Sequence, residues 1–183
     1  MQKTASSSTR VRRMVTMAML AALAVVLVWL VHFPLIPSAP FLEYDPATVP
    51  MLVGAFALGP IPGLVITVVA ALVQGLTVSA QSGPYGIIMH IAAAGTYVLV
   101  AGLIYRKNKT RKRAAVAIAC GAAASVLVMA GANLVITPLF MSTTVDAVLV
   151  MLPGILLFNL IKAVINGAVT FIIYKPLSNI INR

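Results

Sequence analysis

Negative charge is almost missing from this chain. Only three of its 183 residues are acidic, Glu43, Asp45 and Asp146, against 13 lysines and arginines. No pair of carboxylates therefore sits inside an apolar run to relay protons or bind sodium, and no Ser, His and Asp share a common depth, so no catalytic residue is assigned. Cysteine is nearly absent too. The single Cys120 lies in an Ala-rich apolar run, which excludes a disulfide framework or a thiolate metal site and reads as a small buried packing residue. A glycine-rich loop ending in Lys-Ser or Lys-Thr is also missing, so the chain has no phosphate cradle for nucleotide hydrolysis. Neither a metal nor a cofactor is expected, and any active transport must be powered by a partner.

What is present is apolar. Hydrophobic residues make up 61% of the chain and charged residues 9%, and the mean hydropathy is +1.06. Such a chain is solvated by a lipid bilayer, and it has room for roughly six spans of about 20 residues each across a core of about 30 Å. The expected fold is an all-α integral membrane protein: one domain over residues 1–183, a bundle of six transmembrane helices. The net charge of +10 is gathered in short segments between apolar runs, the pattern of cytoplasmic loops, so nucleic acid is not an expected partner.

The first run goes from Met14 to about Val31 behind a basic tail, residues 1–13, carrying Lys3, Arg10, Arg12 and Arg13. It is longer than a signal-peptide core of about 7–15 residues, and Pro40 follows the one small-residue cleavage candidate, Ser38 and Ala39, so it reads as a retained helix. Five prolines between residues 33 and 50 forbid a continuous helix there and leave an outer loop or lid over 33–48. Two further runs, about Thr48 to Leu58 and Leu64 to Val78, flank GPIPG at 59–63. After the SAQSGPYG turn come runs from about Tyr85 to Tyr105, Ala114 to Thr137 with Pro138 as its stop, and Pro153 to Tyr174. The RKNKTRKR loop, residues 106–113, holds six basic residues among eight. With six spans, this loop and both termini fall on the cytoplasmic side while all three acidic residues fall outside. A five-span count would turn the loop outward, against its charge.

Asn159, Lys162 and Asn166 are spaced i, i+3, i+7 and share one stripe of the sixth helix. Counted from Pro153 at about 1.5 Å per residue, Asn159 lies about 9 Å and Lys162 about 14 Å deep, too deep for the lysine to snorkel. An intramembrane lysine needs protein, water or a partner around it. No acid lies within a span to pair with it, and only the loop residues Glu43, Asp45 or Asp146 could do so, so a polar ligand pocket open to the outside is the favoured reading. Asn133 and His90 lie in the same depth band, Gln74 stays open between pocket and packing, and Asn166 between pocket and interhelical glue. On the first helix Ala18 and Ala22, spaced i, i+4 beside Ala21 and Ala24, offer a small-residue stripe for a close helix, either a partner's or one of the bundle's own.

Several stretches together resemble the substrate-binding S components of energy-coupling factor (ECF) vitamin transporters, most closely the riboflavin-specific members. They are the basic tail, Ala18-x-x-x-Ala22, FLEYDPATVPMLVGAFALGPIPG at 41–63, SGPYG opening a helix at 82–105, Asn133, and Asn159-x-x-Lys162. The resemblance implies a bacterial-type plasma-membrane protein that binds riboflavin under an outer lid. It implies Asn133, Asn159 and Lys162 on the polar edge of the ligand and Glu43, Asp45 and Thr48 in the covering loop; Thr48 stands where an acidic residue is frequent. It also implies partners, a transmembrane coupling protein docking on Ala18 and Ala22 and two cytoplasmic ATPase subunits. The alternatives are an S component for another vitamin or precursor, such as thiamine, pantothenate or a queuosine-type base, or a self-contained small transporter. On this reading, replacing Lys162 weakens ligand binding far more than folding.

Overall fold

The computed structural model describes residues 7–36 and 42–181. Lys3, the cleavage candidate at Ser38 and Ala39, Phe41 and Arg183 lie outside the described residues. Six α-helices follow one another: α1 (Ser7–Leu30), α2 (Thr48–Leu58), α3 (Pro60–Leu76), α4 (Gly83–Lys107), α5 (Arg111–Met141) and α6 (Val145–Ile181). A two-strand antiparallel ribbon, β1 (Phe33–Pro34) on β2 (Glu43–Tyr44), joins α1 to α2, and a 3-10 turn (Ala80–Ser82) precedes α4. Four helices, α1, α4, α5 and α6, are long and apolar enough to cross a membrane. The other two are shorter than the full spans expected of them: at about 1.5 Å per residue α2 extends only about 16 Å and α3 about 26 Å.

The reason for α2's length is its position. Every residue from Thr48 to Ala57 is buried, so α2 is a core helix wrapped by its neighbours. It ends at Gly59, whose φ of 108° is a left-handed value open to glycine, and Pro60 then starts α3 at a position that needs no amide donor. At Gly63 the α3 backbone lies so close to Ala55 and Val98 that no side chain fits. Small buried residues such as Ala24, Ala101, Ala114 and Ala117 let the remaining helices approach closely. Around them the outer surface is apolar, with Leu127, Val150 and Ile172 all strongly exposed, which suits lipid and not water.

Two of the expected helix ends are corrected. Pro138 lies inside α5 and Pro153 inside α6, along with Pro176. In hydrocarbon a proline forfeits one hydrogen bond, whereas ending the helix would leave several carbonyls bare, so the helix continues. A second cause acts at Pro153. Val148 and Ile155 form a small core with Leu42, Tyr44 and Phe158, so the ribbon is packed on the segment that the proline was expected to exclude. Cys120 is exposed on α5, not buried as expected, since Gly121 and Ala117 occupy the face turned to Tyr97 and the core.

The ends of the bundle differ in charge. Arg12 donates to the Ile181 carbonyl (3.2 Å) and Arg13 to the Leu58 carbonyl (2.9 Å), so the start of α1 meets the ends of α6 and α2. Both arginines satisfy helix C-terminal carbonyls that otherwise lack partners. Beside them Phe56, Tyr105 and Tyr174 form an aromatic cluster with edge-on contacts at 82° and 84°. The ribbon, the 3-10 turn and the α5–α6 junction occupy the opposite end, where the site is found.

Candidate functional site

The ribbon is held to the middle of α6 by four hydrogen bonds. Lys162 Nζ donates to Asp45 Oδ2 at 2.6 Å and to the Glu43 carbonyl at 3.2 Å. Asn166 Nδ2 donates to the Asp45 carbonyl at 3.1 Å, and the Tyr44 hydroxyl donates to Asn166 Oδ1 at 3.0 Å. The scarce ion-pair partner is therefore present. Of the loop acids that could pair with Lys162, Asp45 does so, because the ribbon folds inward onto α6, and the same lysine also borders the cavity described below. The pair is well desolvated, the two side chains being 20% and 7% exposed. Lys162 also lies 5.7 Å from the centre of the Phe158 ring.

Burial alone would raise the Asp45 carboxyl, but the pull of Lys162 and His90, the Lys162 hydrogen bond and the Ala47 N–H outweigh it and hold the group below its ordinary value. Tyr44 is shifted up, first by burial and then by the Asp45 carboxylate, and so remains a protonated donor to Asn166. Asn166 is 1% exposed and works as glue between ribbon and helix. α6 begins at Val145, before Pro153, so Lys162 lies near mid-helix.

Beside this clamp lies a cavity of about 450 Å³, within the range of about 300–1,000 Å³ typical of small-molecule sites. Of the seven nominated pocket residues, Glu43, Asp45, His90, Asn133, Asn159 and Lys162 line it. Thr48 does not: it is buried in the first turn of α2, turned into the core. Asn133 Nδ2 donates to the Met129 carbonyl (2.7 Å) and its Oδ1 accepts from Thr137 (2.8 Å). Asn159 Nδ2 donates to the Ile155 carbonyl (2.8 Å). Each amide has more donors and acceptors than these bonds use. The helix geometry behind this is simple. Asn133 and Thr137 are i, i+4 on α5, Asn159 and Lys162 are i, i+3 on α6, and both stripes turn inward at the same level.

Sequence reasoning missed Leu42, Tyr85, Met129, Phe140 and Phe158, which supply the apolar lining, and Ser79 and Gln81 from the turn. The polar stretch SAQSGPYG was the available signal for the last two, since it lies on the same side as the acidic residues. The aromatic positions carry no such mark. Gln74, left open by the sequence, lines the cavity from α3. Ala18 and Ala22 are both exposed on α1, while Ala21 and Ala24 pack inward, so the small-residue stripe splits between the outer surface and the core. No group of three or more His, Cys, Asp or Glu is placed to hold a metal among the described residues.

An apolar helical bundle with a ligand-sized, polar-walled cavity has the form of a membrane-embedded solute-binding component. The chain belongs to the family of ECF transporter substrate-specific components, whose family model matches residues 12–174. It is similar to the riboflavin transporter RibU of Staphylococcus aureus, with 26% identity over 179 residues, covering 94% of this chain and 93% of that protein. RibU of Lactococcus lactis subsp. cremoris is 32% identical over 122 residues, which cover 66% of this chain and 59% of that one. The riboflavin transporter FmnP of Bacillus subtilis is 25% identical over 179 residues. Among solved structures, an S component of a bacterial ECF transporter superposes with a TM-score of 0.82 at 26% identity, covering 95% of this chain and 99% of that one. The chain is thus a multi-pass plasma-membrane protein of a transporter family and not of an enzyme family.

Proposed function

We propose that this chain is a high-affinity riboflavin-binding S component, which captures the vitamin at the outer face and relies on partners for energy. The observation that carries the reading is the cavity itself. Its lining sets Phe158, Phe140 and Tyr85 beside Asn133, Asn159 and Lys162, matching a ligand with flat apolar faces and one hydrogen-bonding edge. Riboflavin is named in the similar transporters of three bacteria, and the family assignment supplies the class. In this reading all six helices lie within the membrane domain with both termini cytoplasmic, which puts the RKNKTRKR loop inside. The exposed Ala18 and Ala22 dock on a transmembrane coupling protein that two ATPase subunits drive.

Riboflavin binding to the purified protein, read as quenching of flavin fluorescence with thiamine and pantothenate as competitors, tests the proposal. Saturable quenching at submicromolar riboflavin, undisturbed by either competitor, supports it. A folded protein that leaves riboflavin fluorescence unchanged overturns it and moves the assignment to another vitamin.

A further inference from the structure

Hydrogen-bonding groups around the cavity are not equally occupied. On the α5, α6 and ribbon side, Asn133, Asn159, Lys162 and Asp45 all have protein partners. The α3–α4 side differs. Gln74 is 8% exposed and its Oε1 has no hydrogen-bond partner among the described residues, and the buried Nε2 of His90 has none either. Both residues line the cavity. Native proteins pair nearly all buried polar atoms, so two orphans on one wall of a ligand-sized cavity mark where ligand atoms bind. Among the described residues the one bond from the Gln74 side chain is a long one, Nε2 to the Ser79 hydroxyl at 3.5 Å, which leaves the carbonyl oxygen without a partner there.

The chemistry of the two atoms narrows the ligand group. Gln74 Oε1 only accepts, and His90 Nε2 accepts or donates according to its tautomer. A hydroxyl group serves both atoms, since it donates one hydrogen bond and accepts others. Charge points the same way. The cavity lining holds two carboxylates, Glu43 and Asp45, against the single ammonium of Lys162, which gives no surplus positive charge to attract an anionic group. We propose that Gln74 and His90 form a hydroxyl subsite, which fixes the neutral polyol chain of the ligand while α5, α6 and the ribbon hold its ring edge. This rests on the riboflavin reading and deepens it, because riboflavin carries such a chain and lumiflavin, the same ring with a methyl group in its place, does not.

The test measures dissociation constants of both flavins for the wild type, Gln74→Met and His90→Phe by fluorescence quenching. In Gln74→Met the riboflavin constant rises about tenfold, equal to about 1.4 kcal/mol, while that of lumiflavin stays put. His90→Phe shows the same pattern and carries the test alone if Gln74→Met does not fold. A folded variant that loses both ligands equally, or neither, overturns the subsite. A wild type binding riboflavin no better than lumiflavin overturns it too and leaves the riboflavin reading standing, whereas a folded wild type that binds neither overturns both.

Discussion

When Lys162 is replaced by methionine, the Asp45 carboxylate loses its charged partner and keeps only the Ala47 N–H among its side-chain bonds. Removing one member of a buried pair leaves an uncompensated charge, at about 3–5 kcal/mol. Because the Lys162 side chain is 20% exposed and Asp45 only 7%, water reaches one partner and the lower end, about 3 kcal/mol, applies. For a chain of this size about 1 kcal/mol moves the melting temperature by about 2–4 °C, so ligand-free Lys162→Met melts about 6–12 °C below the wild type. The sequence alone suggests that this residue matters far more for binding than for folding, and the Asp45 pair adds an expected cost in folding. Scanning fluorimetry of the detergent-solubilised, ligand-free protein reads the shift. Adding Asp45→Asn restores part of the loss, and the cycle gives a coupling of about 1–3 kcal/mol. A Lys162→Met melt indistinguishable from the wild type, or strictly additive substitutions, would refute the clamp.

Asn166→Ala leaves the Tyr44 hydroxyl and the Asp45 carbonyl unpaired in a buried setting and lowers stability by about 1–3 kcal/mol, measurable in the same melts; an unshifted melt counts against the clamp. Gly167→Ala drives a methyl group into the Tyr97 hydroxyl and Ile118 and costs about 1–3 kcal/mol by overpacking, with loss of the Tyr97 bond to the Ala163 carbonyl. Since the Asp45 value is depressed in the folded protein, its stabilising contribution is complete above the ordinary carboxylate pKa of about 3.9 and fades only as pH falls through the lower folded value. The melting difference between wild type and Asp45→Asn therefore stays constant from neutral pH down to about 4, and a collapse of that difference already at pH 5–6 contradicts the assignment. Ala18→Trp abolishes assembly with the coupling protein in co-purification and leaves riboflavin affinity as it was; loss of both instead points to a folding role for the outward face of α1.

The order of the apolar segments was legible because hydropathy alone separates them from turns, and Gly59 and the SAQSGPYG turn mark boundaries on either side of α3, although four helices and not six are long and apolar enough to cross a membrane. The ends were less legible where proline was taken as a stop. Proline punctuates a soluble chain, where water satisfies the carbonyl it frees, but in hydrocarbon no such donor exists and Pro138 and Pro153 are carried through. The burial of α2 was not legible either. Hydropathy reports that a segment avoids water, and it cannot tell a helix surrounded by lipid from one surrounded by other helices.

The candidate site was readable on α6 because charge and amide groups are rare there and their i, i+3, i+7 spacing defines a face. What they touch was not readable, since it depends on a ribbon that closes over more than a hundred residues of separation between Asp45 and Lys162. The pairing gives the stripe two duties. Lys162 and Asn166 hold the ribbon against the bundle, while Asn159, one turn nearer the ribbon end, borders the cavity with bonding capacity left over. Lys162 Nζ gives two of its three N–H donors to Asp45 and the Glu43 carbonyl, so one ammonium both holds the ribbon and lines the cavity.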